Sequence, residues 1–154
     1  MGRLFLVYEE DIHKHGIENY SWMDGNLRIL EAEQDTYSYY KDFLSQVGTL
    51  CCIWNLDGEY VSALRIEPYR DGALISGLAT CPKYRKRGYA YHLVESTVDY
   101  LRECGIKRLY SHIRNDNIPS IKVHEKCGFV KIKDTASFID SSADIYSGTY
   151  LLKY

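Results

Sequence analysis

The sequence predicts an α+β domain, a mixed and mostly antiparallel sheet flanked by helices. Three observations carry that reading: a series of apolar, β-branched runs separated by Asp-Gly pairs, an abrupt change to helical spacing after Gly88, and a return to strand-like runs towards the C-terminus. At 154 residues the chain fits one domain, 1–154, long enough to bury roughly 70% of the surface its unfolded form exposes.

Residues 3–8 read as the first strand. The polar stretch from Glu9 to Leu44 holds two helical pieces, the clearer running from Thr36 to Leu44. Thr49 to Asn55, Glu59 to Pro68 and Ala73 to Thr80 then form an antiparallel meander, with Asp57-Gly58 and Asp71-Gly72 as its tight turns. From Gly88 onward, Ala90, Leu93, Val94, Thr97, Val98, Leu101 and Cys104 make one helical stripe, and Gly105 offers a stop. Arg108 to Ile113 is the next strand. Asn117-Ile118-Pro119 opens a short helix, with Asn117 as N-cap and proline in the first turn, and Gly128 ends it. Phe129 to Ser137 and Ile145 to Leu152 complete the set as two strands joined through Asp140-Ser141-Ser142.

Composition narrows the function classes. A net charge of -2 gives no general electrostatic case for nucleic acid as a partner, so any anion site must be local. No window approaches the roughly 18 apolar residues that span a bilayer, and the N-terminal run meets Glu9-Glu10-Asp11 without a signal-peptide layout, so a cytoplasmic protein with no membrane partner is expected. Five cysteines, an odd number with no C-x-x-C pair, point to reduced, mostly buried thiols and to no metal site. Cys81 lies near the basic turn discussed next, but no His or Asp is placed by sequence to make it a nucleophile.

At Thr80-Cys81-Pro82-Lys83-Tyr84-Arg85-Lys86-Arg87-Gly88-Tyr89-Ala90 a strand ends and the strongest helix begins. A helix N-terminus presents unpaired backbone N–H groups and partial positive charge, which suits a diphosphate. Gly88 admits an anion close to the backbone, Ala90 keeps the turn uncrowded, and Arg85, Lys86 and Arg87 add charge. The alternative is a basic, solvated turn. Neither G-x-G-x-x-G nor G-x-x-x-x-G-K-[ST] is present, which disfavours a dinucleotide fold or a P-loop.

Arg85, Gly88 and Ala90 fill the fixed positions of a segment that resembles the acyl-CoA signature [RQ]-x-x-G-x-[GA] of the GNAT superfamily of N-acetyltransferases. Downstream, Asn117 to Phe129 is similar to the family's second segment, commonly N-x-x-S-x-x-L-Y-E-K-x-G-F. The resemblance covers about residues 73–129 and little of the first 45. It implies a GNAT-like fold and transfer of an acetyl group from acetyl-CoA, as co-substrate, to a primary amine of a small molecule or protein by direct attack. It further implies that backbone amides of Arg85, Lys86, Arg87, Gly88, Tyr89 and Ala90 hold the diphosphate, and that Leu78, Ala79 and Thr80 pair with the pantetheine arm. Splayed strands beside Leu109 to Ile113 would admit the acetyl group. Asn117 and Ser120 occupy positions that contact the pantetheine or diphosphate, with helix capping as the alternative for each. The family reading leaves a monomer or a homodimer open.

Two departures bear on catalysis. Where many members carry Leu-Tyr, with the tyrosine protonating the departing thiolate, this chain has Val123-His124; His124 becomes the candidate acid, against a merely local packing role. Tyr91 and Tyr110 stand in reserve. Glu67, late in the third strand, is the candidate base that deprotonates the amine, against a solvated strand-end carboxylate or a water chain. An acidic front segment (Glu9, Glu10, Asp11, Glu18, Asp24, Glu31, Glu33, Asp35) would favour a cationic acceptor. Two further functions remain as alternatives: a catalytically impaired acyl-CoA-binding regulatory module, and a nucleotide-binding regulator.

Overall fold

The computed structural model describes residues 2–12, 20–24, 36–138 and 142–153. Strands β1 (Gly2–Val7), β2 (Leu50–Leu56), β3 (Glu59–Tyr69), β4 (Gly72–Thr80), β5 (Arg108–Arg114), β6 (Val130–Lys133) and β9 (Ser147–Lys153) form one sheet in the order β1-β2-β3-β4-β5-β9-β6. The β4–β5 contact is parallel and the rest are antiparallel. A small hairpin, β7 (Ala136–Ser137) with β8 (Ala143–Asp144), stands beside it. Helices α1 (Thr36–Leu44), α2 (Tyr89–Glu103) and α3 (Ile118–Lys126) flank the sheet. The α+β expectation, with a mixed and mostly antiparallel sheet, holds.

Period-two alternation sends neighbouring residues to opposite faces, and helices cover both. On one face Cys52, Leu64, Ile66, Ile75 and Leu109 pack with Leu93, Val94, Val98 and Leu101 of α2. On the other Cys51, Ile53 and Ala63 pack with Tyr40 and Leu44 of α1. A strand buried on both faces reads as an uninterrupted apolar run, which is why Leu50-Cys51-Cys52-Ile53 shows no polar alternation. Both α2 and α3 end in a Schellman motif. The Gly105 and Ile106 amides donate to the Arg102 and Leu101 carbonyls, and the Gly128 and Phe129 amides to those of Glu125 and His124.

Several boundaries differ from expectation. The second hairpin turns on Arg70-Asp71, with Arg70 at φ 49°; Gly72 is already in β4, paired with Tyr69, where a Cβ would fall 1.9 Å from the Arg108 carbonyl oxygen. The Phe129 to Ser137 strand is two pieces, because β6 slips register against β9 between Lys131 and Lys133 and breaks before Ala136. Ile145 and Tyr146 form a turn rather than strand: the Asp144 carboxylate accepts from the Tyr146 amide and the Ser147 hydroxyl, both at 2.8 Å, so β9 begins at Ser147. The five thiols are free, but only Cys51 and Cys52 are buried and Cys104 is exposed. The first front piece comprises two 3-10 turns, Glu9–Asp11 and Ser21–Asp24; Glu18, Glu31, Glu33, Asp35, Asp140 and Ser141 lie outside the described residues.

Candidate active site

The site begins where β4 and β5 part. Their parallel pairing has three rungs, Ala73–Leu109, Leu74–Tyr110 and Ile75–Ser111, after which β4 runs on to Thr80 and β5 to Arg114 without pairing each other. A bulge causes the divergence. Arg65 opposes Ser76 and Ala63 opposes Ala79, so Gly77 and Leu78 together face Leu64. Gly77 sits at φ 65°, a conformation an L side chain resists, and a bulge of this kind bends its strand. The result is a gap whose β4 wall carries backbone groups unclaimed by β5.

At the end of that wall lies the basic turn. The Cys81 amide donates to the Val61 carbonyl at 2.8 Å, and Arg85 Nε donates to the Thr80 carbonyl at 3.2 Å. The Ser62 hydroxyl donates to the Ala79 carbonyl at 2.9 Å. Together these contacts pin Leu78-Ala79-Thr80 to β3 and to the turn. Lys86 (φ 64°) and Gly88 (φ 85°) swing the chain into α2, with Gly88 as N-cap and no side chain capping the helix. The amides of the first turn are therefore the orphan donors of a helix start. A Cβ on Gly88 would meet only His92 Nε2, at 4.0 Å, so this approach to the backbone is open.

On the α1 face, the gap opens into a cavity of about 490 Å³. Arg65 and Glu67 from β3, Ser76 and Leu78 from β4, and His112 and Arg114 from β5 line it, as do Asn117 and Ser120 at the start of α3. Of the sequence-based candidates, Glu67, Leu78, Asn117 and Ser120 line this cavity, whereas Ala79, Thr80, the Arg85 to Ala90 turn and His124 do not. Burial raises the Glu67 carboxyl above the usual carboxylate range, with the Arg65 charge working the other way. Glu67 also borders a second cavity, of about 620 Å³, with Glu9 and Glu10.

His112, which also lines the cavity, was not among the sequence-based candidates. It follows Ser111, the last residue of β5 paired to β4. Its ring stands edge-on between Tyr69 and Phe138, centroids 5.3 and 5.0 Å away. Both ring nitrogens are buried without a hydrogen-bond partner. Burial and then the Arg70 charge push the imidazole down to about 4, against a weaker opposing pull from Asp144, so it is neutral at pH 7. A lone histidine in a strand carries no motif. The available signal was its spacing, two residues beyond Tyr110 on the strand expected to splay.

His124 is buried and both of its ring nitrogens are hydrogen-bonded. It is 1% exposed. Nδ1 lies 2.8 Å from the Ser120 carbonyl oxygen, which only accepts, so the ring proton resides there. Nε2 is left to accept from the Ser111 hydroxyl, 3.0 Å away, whose oxygen is also 3.1 Å from the Ile75 carbonyl. Burial lowers the imidazole, opposed by the bond to Ser120. The ring also meets Phe129 edge-on at 5.1 Å, the apolar contact of the Schellman ending. Asn117 acts as N-cap, its Oδ1 accepting from the Ser120 amide at 3.3 Å. The reserve tyrosines are engaged elsewhere, Tyr91 with Glu95 and Tyr110 with Asp71.

A family model described as the acetyltransferase (GNAT) family matches residues 15–129. The chain is 30% identical over 80 residues to the GCN5-related N-acetyltransferase 6, chloroplastic, of Arabidopsis thaliana, covering 52% of this chain and 26% of that one; it spans about a quarter of that relative's length. It is 28% identical over 133 residues to an N-alpha-acetyltransferase of Saccharolobus solfataricus, covering 77% and 79% of the two chains. Among solved structures, the PaiA N-acetyltransferase of Thermoplasma acidophilum in complex with coenzyme A superposes with a TM-score of 0.71 at 16% identity, over 100% of this chain and 99% of that one.

Proposed function

Because the chain belongs to the GNAT family of acetyltransferases, we propose that it transfers the acetyl group of acetyl-CoA to a primary amine by direct attack. The observation that carries this reading is the gap between β4 and β5, which joins a helix N-terminus at one end to a cavity holding Glu67 and His112. The fit to the donor rests on two features of the chain: open backbone at Gly88 and an unpaired β4 edge. In this reading the amides from Arg85 to Ala90 hold the diphosphate, with Lys86 and Arg87 adding charge. The edge at Leu78, Ala79 and Thr80 aligns the pantetheine arm, and Asn117 and Ser120 flank it.

The amine arrives as an ammonium ion and must lose one proton before it can attack. His112 is the group placed to take that proton: neither of its nitrogens has a partner, and it stands beside the point where the strands part. Glu67 holds the ammonium form in the cavity and serves as the second acceptor. Attack forms the N–C bond and breaks the C–S bond, and the second N–H proton passes to the departing thiolate. This balance needs no separate acid, so His124 has a positioning part, fixing Ser111 at the vertex of the gap. Five free thiols support a reducing, cytoplasmic setting.

The engaged state of His124 favours one competing reading, a module that binds acyl-CoA without turnover. A thiol-release assay with acetyl-CoA across an amine panel, run beside calorimetry with CoA, separates the two. Release of free thiol with any amine supports the enzyme. Binding without release supports the module, and no binding at millimolar CoA removes both.

A further inference from the structure

The mechanism above leaves Arg65 without a task. Its guanidinium lies flat on the β4 bulge: a Cβ built on Gly77 would fall 2.4 Å from Cζ and from Nη1, and 2.6 Å from Nη2. From the other side Tyr39 and Phe43 of α1 cover it, with ring centroids 5.0 and 5.8 Å from Cζ. Nη1 is buried and has no hydrogen-bond partner. Arg65 takes no part in the ion pairs Lys83–Glu59, Arg108–Asp71, Arg114–Asp116 and Lys131–Asp134. The Tyr40 hydroxyl, which gives its hydrogen to the Met23 carbonyl at 2.7 Å, offers its oxygen to the guanidinium as a neutral partner, so the group is hydrogen-bonded there but not charge-balanced.

A guanidinium stays charged at any accessible pH, and Glu67, the carboxylate whose charge it feels, makes no ion pair with it, so the largely sequestered group favours an anion that reaches it. The cavity's other charged groups are Glu67, Arg114 and Asp144. Arg114 is paired with Asp116, and Asp144 is committed to its own turn. Glu67 and Arg65 remain as one acidic and one basic group facing the same space. Arg65 is opposite Ser76, and the strands part after Ile75. The cationic group is therefore level with the vertex of the gap, and an anion held there shares the cavity with an amine placed at His112.

We propose that Arg65 binds a carboxylate on the acceptor, and that the acceptor is a free amino acid, its ammonium near Glu67 and His112 and its carboxylate on the planar fork of the guanidinium. This rests on the acetyltransferase reading and names its substrate class. A protein N-terminus, whose α-carboxyl is tied up as an amide, lacks the group that Arg65 selects.

Matched acceptors test it: free amino acids, their carboxamides, and the corresponding decarboxylated amines, assayed by thiol release with acetyl-CoA for the wild-type protein, Arg65→Gln and Arg65→Lys. The wild type should prefer the amino acid over its carboxamide by at least about 100-fold in kcat/KM. A site built to bind a polar group rejects an analogue lacking it by large factors. Arg65→Gln should bring that ratio near one, mainly through the amino acid's KM, and Arg65→Lys should restore part of it. Comparable turnover of the decarboxylated amines by the wild type, or an unchanged ratio in Arg65→Gln, overturns the proposal while leaving the acetyltransferase reading intact. If no acceptor is turned over, calorimetric titration of amino acids into the CoA-bound protein decides: binding lost in Arg65→Gln supports it, and binding absent or indifferent to the change refutes it.

Discussion

Substituting Gly88 by alanine separates the backbone's structural demand from its role in binding the donor. Gly88 is at φ 85°, and an added Cβ meets nothing closer than His92 Nε2 at 4.0 Å. The folding penalty is therefore conformational and not steric. A left-handed L residue costs about 1–2 kcal/mol, offset by about 0.4–1 kcal/mol from the smaller entropy of the unfolded alanine chain. The net loss of about 1 kcal/mol corresponds to a fall in Tm of about 2–4 °C for a chain of this size. The new methyl group, however, occupies the open approach to the α2 amides. If a diphosphate is held there, displacing it by a fraction of an ångström should weaken the charge-assisted bonds by about 1.4 kcal/mol or more, at least a tenfold rise in Kd. Thermal melts and calorimetry with CoA read the two effects independently. Gly88→Asn, which tolerates the left-handed region better, should recover much of the Tm and none of the affinity. A Gly88→Ala protein with lowered Tm and unaltered CoA affinity would refute the assignment of this turn to the donor.

The acceptor side and the supporting shell make further predictions. His112→Ala should lower kcat about 100-fold with acetyl-CoA affinity retained, within the usual range for a lost general base; Glu67→Gln should lower it less, and full activity in His112→Ala would remove that residue from the mechanism. Stability should fall with acid: His112 is held to about 4 and His124 is also lowered, while the unfolded chain takes up protons near 6.5, so the unfolded state binds more protons below that pH. The stabilisation is full above about pH 7 and is lost as the pH falls from about 6.5 towards 4. Glu67, raised by burial, acts in the opposite sense, so urea midpoints at pH 7.5 and 5.0 should be compared between wild type and His112→Ala, and an equal pH dependence in the two would count against the His112 assignment. Asn117→Ala removes the α3 cap at a cost of about 1 kcal/mol; an accompanying rise in the KM for acetyl-CoA would show that Asn117 also touches the donor, and a lowered Tm alone would assign it to capping.

The turn proposed to hold the donor was legible as a candidate because a backbone cradle leaves a trace in composition. An anion cradle at a helix start requires glycine and small residues at fixed spacing, and Gly88 and Ala90 supply it before a stripe whose Leu93, Val94, Thr97, Val98 and Leu101 are all buried. The acceptor half was not legible in the same way. Arg65 and His112 are single polar residues in apolar strands, and what makes them neighbours of the gap is a bulge. Its one trace in sequence is Gly77 inside a strand pattern. His124 shows the converse case: its place in a motif suggested proton chemistry, yet its carbonyl receives the Phe129 amide and its ring packs on Phe129. The Gly-Phe pair that closes α3 therefore fixes the histidine's ring against the core, a tertiary consequence that residue type alone does not reveal.

The bulge links the two halves of the site through one backbone conformation. Turning β4 at Gly77 separates it from β5, and so frees the edge at Leu78, Ala79 and Thr80 that the donor arm would follow. The same residue's missing side chain leaves the space where the Arg65 guanidinium lies. A regular β4 would keep pairing with β5, closing the gap, and would place a side chain where Arg65 now sits. If Arg65 selects the acceptor and the β4 edge guides the donor as proposed, the two are not independent features of this fold. Altering Gly77 would disturb the donor groove as well, whereas Arg65→Gln keeps the backbone of the bulge and removes the charge, which makes the arginine and not the glycine the position at which the proposed specificity is best tested.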